Sequence, residues 1–158
     1  MADKIKVGWF SFTCCEDSTI IFTELLNQNY SQWLSKIEFV HARIFKKEDG
    51  EIKPMDIAFV EGAISSNEQE EKLRKIREKA KILIAIGSCA VLGSPANQRN
   101  FFNQRQIEEI KPILEKFKYK EKVLKISDLV AVDEFVPGCP MDEKVFLKIL
   151  EKYLNASD

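Results

Sequence analysis

Four residues carry most of the chemical potential of this 158-residue sequence: Cys14, Cys15, Cys89 and Cys139. The first two are adjacent, where an apolar run gives way to Glu16-Asp17-Ser18. Four thiolates drawn to one point suit zinc or an iron–sulfur cluster. A structural zinc site takes its ligands as two close pairs on short knuckles, whereas this pattern is one adjacent pair and two singles. Adjacent ligands must splay apart, which a compact tetrahedral ion accommodates poorly and the separate irons of a 4Fe–4S cube accommodate more easily. Gly87, Gly138 and the flanking prolines would let the backbone approach a bulky cofactor and offer N–H groups to its sulfurs. Two other readings stand beside these. Cysteine is among the most buried residue types, so four unconnected core thiols fit the same pattern. A disulfide between Cys14 and Cys15 is the other.

The elements that must position these thiols follow from hydrophobic patterning. Residues 4–12 form a short apolar run bounded by charge, which predicts a buried strand. Ile20, Ile21, Phe22, Leu25 and Leu26 then recur at helical spacing behind Glu16-Asp17-Ser18-Thr19, whose acidic residues suit a helix N-terminus. The cysteine pair thus falls on a strand-to-helix turn. Strands are expected at 37–45, 56–60, 81–86 and 130–135. The run 81–86 is nearly continuous in apolar residues, as in a strand covered on both faces. Helices are expected at 68–81, at 107–118 with Pro112 in an early turn, and at 142–154 with Asp142 near its start. Residues 93–106, rich in Asn, Gln and Pro, read as loop, and Val136-Pro137-Gly138-Cys139-Pro140 as a rigid loop. Strands alternating with helices imply an α/β fold: an open, mainly parallel, flavodoxin-like sheet with helices on both faces. Residues 1–158 are expected to form one domain, since no repeat, low-complexity tract or linker interrupts them. The cysteines lie just beyond the first strand, just beyond 81–86, and in the loop before the last helix. These are positions outside the carboxyl ends of parallel strands, where ligands of such sheets gather.

Composition narrows the setting. A net charge of −1 gives no electrostatic reason to expect nucleic acid as a partner. No stretch approaches the length of a membrane span. The opening residues lack the apolar core of a signal peptide, so a cytoplasmic location is expected, and reducing conditions there disfavour structural disulfides.

Other residues invite weaker readings. Glu16 is a candidate helix cap or proton-handling group beside the cysteines. Glu61, at a strand end, either orients the cysteine loops or a partner, or is simply solvated. Arg99 either clamps a partner and tunes a cluster by hydrogen bonding or is a surface arginine. Trp9 reads as core, His41 as structural, and the charged run from Glu68 as a solvated helix face. The first turn carries cysteines rather than the Ser/Thr/Gly-rich cradle that a flavin phosphate wants, which counts against flavin and leaves it open.

Taken together, Cys14-Cys15-Glu16, Val60-Glu61-Gly62-Ala63, Ile86-Gly87-Ser88-Cys89-Ala90 and Val136-Pro137-Gly138-Cys139-Pro140 resemble the small subunit of nickel–iron hydrogenases and the related 20-kDa subunit of respiratory complex I. Residues 56–100, ending in Pro95-Ala96-Asn97-Gln98-Arg99-Asn100, are similar to the soluble cofactor-linked hydrogenases of NAD or F420/viologen type. The resemblance implies a flavodoxin-like domain with one proximal 4Fe–4S cluster on Cys14, Cys15, Cys89 and Cys139. It also implies a nickel–iron large subunit as partner and a further electron-accepting subunit of diaphorase or iron–sulfur type, without direct membrane insertion. Most hydrogenase small subunits place two residues between their first two cysteines. The adjacent pair here is instead similar to the complex I subunit, so the equivalent subunit of a membrane-bound hydrogenase or complex I-like assembly is the alternative. The sequence around Cys89 and the lack of a quinone-facing apolar extension speak for the soluble reading. A non-redox binding module with incidental thiols is the third possibility.

Overall fold

The computed structural model describes residues 4–45 and 50–156. Its elements run β1 (Ile5–Ser11), α1 (Asp17–Gln28), α2 (Tyr30–Lys36), β2 (Ile37–Ala42), β3 (Met55–Glu61), β4 (Ile64–Ser66), α3 (Asn67–Lys79), β5 (Ala80–Ile86), α4 (Gly87–Leu92), α5 (Gln104–Lys116), β6 (Tyr119–Leu124), β7 (Glu134–Val136) and α6 (Glu143–Asn155). Five strands form one sheet in the order β2-β1-β3-β5-β7, with every pairing parallel. That is the order of flavodoxin-like doubly wound folds. β4 and β6 form a separate antiparallel pair.

The side chains of the central strands alternate between two cores, as the two-residue strand period requires. Ile5, Val7 and Trp9 of β1, Ile57 and Phe59 of β3, and Ile84 and Ile86 of β5 face a layer built with α1, α2 and α6. Phe10, Ala58, Val60, Leu83 and Ala85 face the opposite layer, which holds Leu73 and Ile76 of α3 and Ala90 of α4. The first layer is aromatic: Trp9 stacks on Phe22 at 4.2 Å between ring centroids, with Trp33, Phe39, Phe59 and Phe146 around them. Trp9 is therefore core, as its sequence context predicts. His41 is buried on β2 with its ring stacked on Phe10.

Several boundaries differ from the sequence expectation, each for a physical reason. The strand expected at 37–45 ends at Ala42, and Arg43–Phe45 turn into a 3-10 helix. The helix expected at 68–81 stops at Lys79, because Ala80 already pairs with Met55 in the sheet. The strand expected at 130–135 begins only at Glu134. Val130 and Val132 look like strand residues because they pack on the second core, but they do so without pairing. The helix expected at 107–118 starts earlier, at Gln104, where Asn103 and Gln106 form a reciprocal capping box. Pro112 consequently lies inside it. Asp142 does cap α6, accepting from the Val145 N–H at 3.0 Å. Among the described residues, no helix is long and apolar enough to cross a membrane.

Candidate metal centre

Three turns at the carboxyl edge of the sheet carry the four cysteines. Cys14 and Cys15 follow β1, Cys89 lies in the first turn of α4 directly after β5, and Cys139 follows β7. The first turn is tied to the end of β3. The Phe12 N–H donates to the Glu61 carbonyl at 2.8 Å, and Thr13 and Ala63 exchange backbone hydrogen bonds of 3.0 and 2.9 Å. This crossing needs Gly62: its φ is +92°, and a Cβ there would stand 2.9 Å from the backbone carbon of Phe12. The second and third turns are joined by the Ser88 N–H, which donates to the Gly138 carbonyl at 2.7 Å.

All four cysteines are free. Cys89 is buried, Cys14 half-buried, and Cys15 and Cys139 exposed. Cys14 packs on a small apolar cluster of Ala63, Cys89 and Val123. Burial pushes the Cys14 thiol up to about 12, with the Glu61 carboxylate and Cys89 adding to it. Burial raises the Cys89 thiol too, and the charges of Cys139 and Cys15 push the same way. The thiols thus share one electrostatic neighbourhood, in which a thiolate would need positive charge beside it. A bound metal supplies that positive charge and holds such groups as thiolates. Among the described residues, no three His, Cys, Asp or Glu side chains are gathered as one metal ion requires. A single tetrahedral zinc needs its sulfurs within roughly 4 Å of one another. A cluster, which takes each thiolate on a different iron, does not.

Glu61 is only 3% exposed, so it is not a solvated carboxylate. Its Oε1 accepts from the Ser18 N–H at 3.0 Å and its Oε2 from the Thr19 hydroxyl at 2.6 Å. Thr19 in turn accepts from the Trp9 indole N–H at 2.8 Å. Burial raises the Glu61 carboxyl above its ordinary value, against the pull of these donors. Glu16 does not make the expected capping bond. It stands at the cap position of α1 with a φ of 64° and no side-chain hydrogen bond to the helix. The free N–H of the first turn goes instead to Glu61, a residue distant in sequence.

Arg99 lies in the 3-10 turn Gln98–Phe101. Its guanidinium donates to the carbonyls of Ser65, Lys120 and Glu121 at 3.3, 2.8 and 3.2 Å. It therefore braces this turn against β4 and β6. Val123, Thr13 and Ser65 carry no functional reading in the sequence, Asn100 enters it only as the end of the segment 95–100, and Gln69 only as part of a solvated helix face. The Asn100 side chain pairs with both backbone groups of Val123 at 2.8 Å, setting Val123 beside Cys89. The Thr13 and Ser65 hydroxyls lie 2.7 Å apart, and Gln69 bonds to both residues behind the Cys14 turn. Thr13 and Asn100 act through partners far away in sequence, which local pattern does not mark, while Ser65 and Gln69 also bond each other four residues apart. A cleft of 890 Å³ lies between α5 and β6, and none of the cysteines lines it.

The family model described as NADH ubiquinone oxidoreductase, 20 Kd subunit, matches residues 14–153. The chain belongs to this family. Among the curated members it resembles is one chain of the F420-non-reducing hydrogenase of Methanocaldococcus jannaschii, 27% identical over 98% of this chain and 57% of that one. The NAD-reducing hydrogenase HoxS subunit delta of Cupriavidus necator is 28% identical over 96% of this chain and 79% of its own length. Sulfhydrogenase 2 subunit delta of Pyrococcus furiosus is 30% identical over 92% of this chain and 60% of its own. This member of the family thus spans little more than half the length of several of its relatives. A chain in the crystal structure of an NAD+-reducing [NiFe]-hydrogenase in the H2-reduced state superposes with a TM-score of 0.85 at 23% identity. The match covers 99% of this chain and 94% of that one, and shows the same fold.

Proposed function

We propose that this chain is the electron-transfer small subunit of a soluble, cytoplasmic nickel–iron hydrogenase. In this reading Cys14, Cys15, Cys89 and Cys139 hold one 4Fe–4S cluster in a single domain. Electrons pass between a nickel–iron centre in a large partner subunit and a further redox subunit of diaphorase or iron–sulfur type. The observation that carries the reading is the delivery of four thiols to one sheet edge from three turns, within a family whose similar members are hydrogenase subunits. The donor set fits the cofactor: four soft sulfurs, glycine-bearing turns that bring backbone close, and two thiols, Cys14 and Cys89, whose burial disfavours the charged form until a metal compensates it.

When bound, the cluster accepts and returns one electron at a time. The chain does the rest. Ala63, Val123 and the stem of Cys14 keep water from the buried side of the site. Cys15 and Cys139, exposed to solvent, mark the side over which a partner docks. Protein purified without oxygen is expected to be brown, to hold about four irons and four sulfides, and to give a reduced-cluster EPR signal after dithionite. Cys89→Ala is expected to lose the cluster, and with it hydrogen oxidation by the assembled enzyme. A variant with its full iron and sulfide would show the ligand assignment to be wrong. Colourless wild-type protein that cannot be reconstituted would remove the electron-relay reading altogether.

A further inference from the structure

We infer that Ser18 is the positioning residue that fixes the three cysteine turns relative to one another before any metal is bound. The inference rests on the cluster reading above. Ser18 lies in the first turn of α1, three residues beyond Cys15, and is 4% exposed. Its N–H donates to Glu61 at 3.0 Å, which anchors the start of α1 to the end of β3. Its hydroxyl oxygen accepts from the N–H of Met141, two residues beyond Cys139, at 3.2 Å. The same oxygen lies 3.0 Å from the point where a Cβ on Gly87, two residues before Cys89, would stand. The turn after β1, the start of α4 and the loop after β7 therefore meet at one hydroxyl.

None of these contacts uses a thiol, so the frame they make does not depend on a ligand. A cluster entering such a frame does not have to order the turns itself, and binding keeps the free energy that ordering would otherwise consume. The hydroxyl also matters for satisfaction. Met141 is buried, and without Ser18 its N–H loses the partner it has here.

Ser18→Ala separates this role from folding. Alanine is the best helix former and keeps the backbone N–H that reaches Glu61, while deleting the hydroxyl that receives Met141 and that also helps hold the Glu61 carboxyl down. Thr23→Ala is the control: Thr23 is exposed on the same helix and, among the described residues, its hydroxyl bonds only the Thr19 carbonyl. In iron-free full-length protein, hydrogen exchange read by NMR is expected to run about tenfold or more faster at the Met141 amide in Ser18→Ala than in wild type, and unchanged in Thr23→Ala. After reconstitution with iron and sulfide, Ser18→Ala is expected to release iron to a chelator about fivefold or more faster. Its reduced EPR spectrum should shift, while the thermal midpoint of the iron-free variant stays within a few degrees of wild type.

An unprotected Met141 amide in iron-free wild type would overturn the inference. So would wild-type iron release and an unshifted spectrum in Ser18→Ala. If wild-type protein takes up no iron, the electron-relay reading falls and the claim about a cluster falls with it. The exchange measurement still decides whether Ser18 joins the turns.

Discussion

A single carboxylate at position 133 shows how much one side chain can add to a sheet. The Asp133 N–H donates to the Leu83 carbonyl at 2.9 Å, and its carboxylate accepts from the Leu83 N–H at 2.8 Å and from Arg77 at 2.6 Å. It thus extends the β5–β7 pairing by one rung, using a side chain where a backbone carbonyl would stand. Burial works against its charge, but the Leu83 N–H and the Arg77 guanidinium outweigh that and hold its carboxyl below the ordinary aspartate value. A carboxyl lowered by folding contributes stability that is complete above its unfolded pKa, near 4, and is lost as pH falls through the lower folded value. Asp133→Asn should therefore cost about 0.5–1 kcal/mol near neutral pH, a modest figure because the pair is partly solvated. In urea titrations the gap between variant and wild type should shrink as pH drops below about 4. A residue's role was legible in the sequence where it depended on local pattern alone, as with Asp142 at the start of α6. It was not legible where the partner was distant. Glu16 sits where a local rule puts a cap, yet Glu61 supplies the acceptor from another strand.

Among the elements, α5 departs furthest from ordinary packing. Leu114 is its only buried residue, and Ile113 and neighbouring Phe117 are more than half exposed. Pro112 removes an N–H that would have bonded the Glu108 carbonyl, so the capping box at Asn103 carries more of the helix's definition. Pro112→Ala should stabilise the helix by roughly 1–3 kcal/mol, seen as slower amide exchange along α5 and a small rise in helical dichroism. The long apolar strands and the amphipathic α6 were plain from periodicity, because both are covered by the main cores. β6 was not. Its sequence, Tyr-Lys-Glu-Lys-Val-Leu, buries only Val123 and pairs with a strand of three residues, so it carries almost no hydrophobic signal. α4 was hidden for a different reason. It follows β5 without an intervening loop residue, and Gly87, at a φ of +78°, looks like turn chemistry when read alone.

At the scale of the whole molecule, the sheet separates two unlike layers. Phe146 sits at the centre of the aromatic one, meeting Trp9, Phe22 and Trp33 edge-on and Phe59 at a tilt. Phe146→Ala should cost about 3–5 kcal/mol in chemical denaturation, more than any single exposed change. The doubly wound order itself was legible, since alternating strands and helices leave few ways to bury both sheet faces. The unequal division of aromatic residues between those faces was not, because it depends on register. It has a practical side. Both tryptophans of the chain, Trp9 and Trp33, belong to the same layer. Tryptophan emission therefore watches one side of the sheet and is blind to the other: α3 and α4 could loosen without altering the glow, while far-ultraviolet dichroism would register their loss.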